Sequence, residues 1–392
     1  MSPFTHESGR VPVVARRAAA VTIATFAILG CDGPGAPAAP SRAVVASTSA
    51  AERSVSGPAT VTVLATGLNN PRGLKFGLDG NLYVAEGGTG GFNPPTVGLC
   101  AQVPQLGPYT GSPTGSRISR ISPAGARTTV IDNLPSSSTN VPTGMLTSGV
   151  ADVAFIGNTL YGLLTGAGCS HGVPSIPNQV FRVNGNGTPT MIANLSHYYQ
   201  TNPTAHEEEE DFEPDGTPYS MIAVRGDLYV VEPNHGSLDR VSLDGSISRV
   251  ADISATMGHI VPTTVSYHGD FFVGNLNTFP VVPGSAQILK VTPSGQMNTW
   301  VAGLSTVLGS VWDDRGRLYV LESTTVAGNP TPGTGRIRRV DPSGQTTTIA
   351  EHLFLPSALT LGPDGNLYVS NVGFGPLALV VGHGEILKVE IN

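Results

Sequence analysis

The chain has 392 residues, of which 40% are hydrophobic and only 12% charged, so it can bury a sizeable core but carries little material for solvated helices. A net charge of −7, with no run of Lys or Arg longer than two, speaks against a nucleic-acid phosphate backbone as partner. Gly (49) and Pro (32) suit short strands joined by tight turns, and the composition predicts an all-β chain.

At the N-terminus, Arg10, Arg16 and Arg17 precede the apolar stretch Ala18 to Leu29, a pattern that predicts an export signal. The stretch is too short to span a bilayer. Ile28-Leu29-Gly30-Cys31 is similar to a bacterial lipobox, which predicts lipidation of Cys31; cleavage near Ala38-Ala39 is the alternative. Arg16-Arg17 is only a partial match to a twin-arginine signal. Residues 1–31 are thus expected to be an export signal and residues 32–58, rich in Ala, Pro, Ser and Gly, a flexible tether. The expected location is extracytoplasmic, in the periplasm or at the cell surface, with membrane contact through the lipid alone.

From residue 59 onward one short segment recurs: Leu82-Tyr83-Val84, Leu160-Tyr161-Gly162, Leu228-Tyr229-Val230, Phe271-Phe272-Val273, Leu318-Tyr319-Val320 and Leu367-Tyr368-Val369. Most copies follow a turn of the Asp-Gly-Asn type and precede a second hairpin, so one unit is four strands. The later copies recur at the length of one propeller blade, about 40–50 residues, and the earlier ones carry insertions around 87–114 and 196–217. The last unit has only three strands, near 357–361, 367–370 and 385–389, and Thr60 to Ala65 has the pattern of the missing fourth. Pairing of the two would close residues 59–392 into a six-bladed β-propeller and remove exposed edges. If Cys31 carries lipid, Cys100 and Cys169 remain as a pair in inserted loops and are expected to form a disulfide; the alternative is two thiols too far apart to bond.

Residues 77–88, 149–172, 231–236 and 258–284 resemble the ScyD/ScyE family, whose name comes from gene clusters for the pigment scytonemin. The similarity spans roughly residues 60–392. The resemblance implies an extracytoplasmic propeller related to NHL-repeat and SMP-30/gluconolactonase-like proteins, without a defined reaction.

Three residues beyond the aromatic marker of each unit stand Glu86, Leu164, Glu232, Asn275, Glu322 and Asn371. Five of these are oxygen donors, and radial symmetry would turn them toward one channel mouth, so Glu86, Glu232, Asn275, Glu322 and Asn371 are candidate ligands for Ca²⁺ or another divalent cation. The competing reading is that each satisfies backbone groups of its own loop. His235 and His259 fall on the same face and are candidate general bases for a metal-bound lactone or ester, against a plain loop role. Arg72, His171 and Tyr219 fall there too, with Arg72 expected to order its loop. The run Glu207 to Asp211, continuing to Glu213 and Asp215, reads as a solvated loop or a cation or basic-partner site. No nucleophile elbow, His-Glu-x-x-His, phosphate loop or Cys-x-x-Cys occurs. The leading expectation is a monomeric module that binds a small-molecule ligand or protein partner at its loop face; the alternative is a metal-dependent lactonase or esterase of SMP-30-like kind.

Overall fold

A computed structural model describes residues 59–102, 107–139, 146–207 and 212–391. The expected signal, the lipobox cysteine Cys31 and the tether lie outside the described residues.

The first strand, β1 (Thr60–Leu68), precedes blade one, which is β2 (Pro71–Phe76), β3 (Leu82–Glu86), β4 (Thr110–Ile121) and β5 (Arg127–Ser138), with a two-residue addition β6 (Thr147–Ser148). Blade two is β7 (Val150–Ile156), β8 (Thr159–Leu164), β9 (Gln179–Val183) and β10 (Pro189–Asn194), followed by helix α1 (Leu195–Thr201). Blade three is β11 (Ser220–Val224), β12 (Asp227–Glu232), β13 (Ser237–Val241) and β14 (Ile247–Asp252), followed by α2 (Ile253–Met257). Blade four is β15 (Pro262–His268), β16 (Asp270–Asn275), β17 (Ala286–Val291) and β18 (Met297–Leu304). Blade five is β19 (Val307–Trp312), β20 (Leu318–Glu322), β21 (Gly335–Val340) and β22 (Thr346–Leu353). Blade six is β23 (Ala358–Leu361), β24 (Leu367–Asn371) and, after α3 (Leu377–Val380), β25 (Gly384–Glu390).

The missing outer strand of blade six is β1. It pairs antiparallel with β25 from Thr60 opposite Glu390 to Leu68 opposite Gly384, so the six blades close into a ring. All strand neighbours within a blade are antiparallel.

The alternation of the repeat puts its apolar positions between blades rather than under one sheet. Each gap between neighbours holds one apolar cluster. Leu82 and Val84 of blade one, for example, pack with Ile386 and Tyr368 of blade six. A blade alone would expose both faces, so the ring is the smallest unit that buries them. The departure from Leu-Tyr-Val in blade two has a packing cause: a Cβ on Gly162 would lie 2.2 Å from the Phe181 ring.

The turns before the markers are more than reversals. Asp79 and Asp364 each accept a hydrogen bond from the marker hydroxyl, Tyr83 and Tyr368, at 3.0 Å, while Gly80 and Gly365 supply the positive φ. Lys388 adds an ion pair to Asp364 at 2.9 Å, and the surrounding hydrogen bonds hold that carboxyl well below its usual range despite the opposing effect of burial.

Blade one differs from expectation. The stretch from Thr110 is strand, and its first residues pair with the end of β5, so the inserted loop ends at 109 rather than near 114. Cys100 in that loop is disulfide-bonded to Cys169 between β8 and β9, with Cα atoms 6.1 Å apart, joining the loops of blades one and two.

Candidate functional site

Inner strands β2, β7, β11, β15, β19 and β23 all start at one face, here called upper, where the second strand of each blade ends. The five oxygen-bearing residues at those second-strand ends lie one strand outward from the channel, and each is bound within its own blade. Glu86, fully buried, accepts from Asn69 N at 2.7 Å, from Arg117 at 3.0 and 3.1 Å and from the Ser119 hydroxyl. Glu322, equally buried, accepts from Ser305 N at 2.7 Å and from Arg336 at 2.6 and 3.0 Å. That carboxylate raises the pKa of Arg336. Glu232 accepts from the backbone N–H groups of Thr217, Asn234 and His235. Asn275 accepts from Gln287 N at 2.8 Å and donates to Ile260 O at 2.9 Å. Asn371 accepts from Phe354 N and donates to Glu385, both at 2.9 Å.

One device therefore recurs in five blades: a side chain at the end of the second strand holds the loop that leads into that blade. These bonds are the ones expected if each side chain serves its own loop, the reading that competes with a shared ring of ligands. Oxygens already filled by N–H donors and guanidinium groups do not fit a common cation. Among the described residues no group of three or more His, Cys, Asp and Glu is placed to hold a metal. In blade two, where Leu164 stands at the equivalent position, Asn178 accepts from Ala167 N at 2.9 Å and donates to Gly216 O at 2.8 Å.

Both candidate bases sit in upper-face loops. His235 is fully buried, stacked on Tyr199, with Nδ1 2.9 Å from Glu207 and Nε2 3.0 Å from Glu213 O, so both ring nitrogens are engaged. His259 is half-buried in the loop between α2 and β15 and does not line the cavity described below. The acidic run divides. Glu208, Glu209, Glu210 and Asp211 lie outside the described residues, while Glu213 and Asp215 are buried. Glu213 accepts from Tyr109 at 2.6 Å and from the Thr217 hydroxyl, and stands 3.1 Å from His171 Nε2. Burial works against charge on His171, yet Glu213 and Asp215 beside it raise its pKa overall.

At the upper mouth these loops enclose a cavity of about 130 Å³ that draws on all six blades. Its walls include Val150, Pro218, Tyr219, Val261, Leu308 and Phe374, and its polar groups include Arg72, Thr165 and Glu213. Arg72 donates to Thr147 O and lies 5.5 Å above the Tyr219 ring, so it both orders its loop and faces the cavity. Tyr219 is fixed by donating to Ser357 O at 3.1 Å. The Thr165 hydroxyl is buried with no hydrogen-bond partner among the described residues. Val261 holds a φ of 54°, a costly conformation for a β-branched residue, of order 1–3 kcal/mol, that the surrounding loop must enforce.

Below the cavity the channel narrows, and Asp152 enters it from β7. Gly73 makes the room: a Cβ there would lie 1.8 Å from Asp152 Oδ1. The carboxylate accepts from Val153 N and Met221 N, both at 2.8 Å. Burial nonetheless pushes its pKa up to about 6, against the opposing charge of Lys75. Sequence reasoning missed Asp152, Tyr109 and the role of Glu213.

No family model and no curated protein matches the chain. Solved structures do. A Bacteroides thetaiotaomicron protein of unknown function is 11% identical, covers 84% of this chain and 76% of its own, and superposes with a TM-score of 0.53. A Thermus thermophilus protein described as an oxidoreductase (glucose dehydrogenase) is 16% identical over 85% of this chain and 100% of its own, also at 0.53. A gluconolactonase from Xanthomonas campestris is 13% identical over 90% and 99%, at 0.48. What is shared is the fold. For the two at 0.53, identities this low carry the fold alone and leave the chemistry to the site itself.

Proposed function

We propose that this chain is an exported, Cys31-lipidated propeller of ScyD/ScyE-like kind, and that its upper-mouth cavity binds a small, mainly apolar ligand or the apolar end of a larger one. The observation that carries this reading is the cavity, where both inserted loops meet the starts of the inner strands around apolar walls with a few convergent polar groups. Its 130 Å³ is close to the ~150 Å³ of an apolar cavity that admits benzene, so the ligand portion inside is about one ring. Arg72 offers a cation to an acidic substituent and Thr165 a hydroxyl. The Cys100–Cys169 disulfide supports an oxidising compartment, in keeping with export.

The test is a thermal-shift and calorimetry screen of single-ring acids, alcohols and lactones on the full chain and on Val261→Gly. The substitution relieves the positive φ while removing an apolar wall, so the melting temperature should hold while any ligand-induced shift shrinks. Ligand shifts untouched by Val261→Gly would remove the site from this cavity. Turnover of a lactone with added Ca²⁺, lost in Glu232→Gln, would replace the binding reading with the SMP-30-like hydrolase reading. For the anchor, palmitate incorporation that persists in Cys31→Ala would overturn lipidation at that residue.

A further inference from the structure

The inner strands also end together, at the lower face, and there the channel opens into a funnel of about 610 Å³, within the range of small-molecule sites. Five blades contribute to it. Its walls are aromatic and aliphatic, with Phe76, Phe155, Ile222, Val224, Tyr267 and Trp312 among them, and its only charged lining residues are Lys75 and Arg225.

Those two cations, like Arg72, Arg120, Arg182, Arg315 and Arg338, have no carboxylate partner among the described residues. Arg117, Arg240, Lys290, Arg317, Arg336 and Lys388 all sit within 4 Å of a carboxylate. Asp152 in the throat above feels the charge of Lys75 at longer range. In a chain of net charge −7, two uncommitted cations on an apolar wall create a local preference for anions.

Arg225 carries a second signal. It occupies a two-residue hairpin turn between Val224 and Asp227, with a φ of 52° and Gly226 next at 92°. Such turns favour Asn, Asp or Gly at the first position, because a side chain with a Cβ is strained there. Turn chemistry does not call for arginine at this point, and the strained backbone fixes its stem at the funnel rim.

We propose that the lower funnel is a binding site, separate from the upper cavity, for a small organic anion with a flat apolar body, of the aromatic carboxylate or sulfonate class. The ring system lies against the aromatic wall and the acid group faces Lys75 and Arg225, which combine hydrophobic burial with charge-assisted hydrogen bonds.

The test uses 8-anilinonaphthalene-1-sulfonate on the full chain. Both tryptophans stand at this wall, Trp312 lining the funnel and Trp300 5.4 Å from it between ring centroids, so energy transfer from indole to probe reports occupancy. The expected result is saturable binding at one site with quenching of tryptophan emission. Arg225→Asn, which suits the turn, and Lys75→Gln should each weaken binding about ten-fold with unchanged circular dichroism. The uncharged analogue N-phenyl-1-naphthylamine should bind about ten-fold more weakly than the sulfonate to the parent and equally to the variants. Equal affinity for the two probes, sulfonate affinity indifferent to both substitutions, or no saturable transfer would overturn the proposal. None of these outcomes bears on the upper cavity, which lies at the other end of the inner strands.

Discussion

The two mouths of the channel are made from the same six inner strands and yet are unlike. The lower one is bounded by tight hairpin turns whose Asp and Tyr side chains bond to one another, and it stays wide and open. The upper one is bounded by long loops, held by buried carboxylates and a disulfide, and its cavity is about a fifth as large. Repetition gives a propeller two equal rims; insertion makes one of them into a roofed site. The difference teaches why buried carboxylates such as Glu86, Glu232 and Glu322 hold the loops of the upper face, since long loops carry backbone donors that need acceptors.

That contrast can be broken first at the disulfide. Its 69-residue separation gives a chain-entropy contribution of about 4 kcal/mol. Cys100→Ser should lower unfolding stability by about that amount in a denaturant melt, and speed hydrogen exchange in the roof segments 87–102 and 165–178. Exchange in the lower turns at 77–81 and 362–366 should be unaltered. If both sets of amides loosened together, the roof would not be a separate layer.

A second, smaller effect is expected at the carboxylate that holds the blade-five loop. Glu322→Ala strands the Ser305 N–H and removes the partner of Arg336, a loss of about 3 kcal/mol. A change below about 0.5 kcal/mol by chemical denaturation would return Glu322 to the pool of functional candidates.

The third effect is a slope rather than a step, and one of its two groups lies in the throat between the mouths. Asp152 and Asp239 both have pKa values pushed up to about 6, in each case by burial. A group whose folded pKa is raised favours the fold most below its unfolded value and loses that contribution as pH rises through the folded one. Stability should therefore fall between about pH 4 and pH 6, by at most about 1.4 kcal/mol per pH unit for each group, and His171 continues the same sign above its usual range. Melting curves from pH 4 to 8 check this, and Asp152→Asn should flatten the slope. A slope unchanged by that substitution would place the titration elsewhere.

The ring was legible in the sequence because its signal is redundant. Six aromatic markers, their turns and a displaced strand all had to agree, and one misread copy would not have changed the count. The polar rim was not legible from one strand alone. Glu86, Glu232 and Glu322 look like a ligand set when only second strands are aligned. Aligning third strands as well puts Arg117 opposite Glu86 and Arg336 opposite Glu322, and complementary charges at register partners mean pairing within the blade. Asp152 was hidden for another reason. In Val150-Ala151-Asp152-Val153-Ala154 it looks like an ordinary polar position of a strand, and only the ring turns that face into a closed throat. Gly73, which makes space for it, lies 79 positions earlier in the numbering, beyond the reach of any local pattern.

The pairing of β1 with β25 also sets an order of events during synthesis. A chain that emerges N-terminus first presents Thr60–Leu68 early, yet its sheet partner among the described residues, β25, includes Glu390. For most of translation this segment is an orphan, apolar on one side, and must be kept from pairing with the wrong edge. The molecule can become cooperative only at the end, when a late strand captures an early one, so truncation by even a few residues near position 390 should leave an open, adhesive arc instead of a slightly smaller propeller.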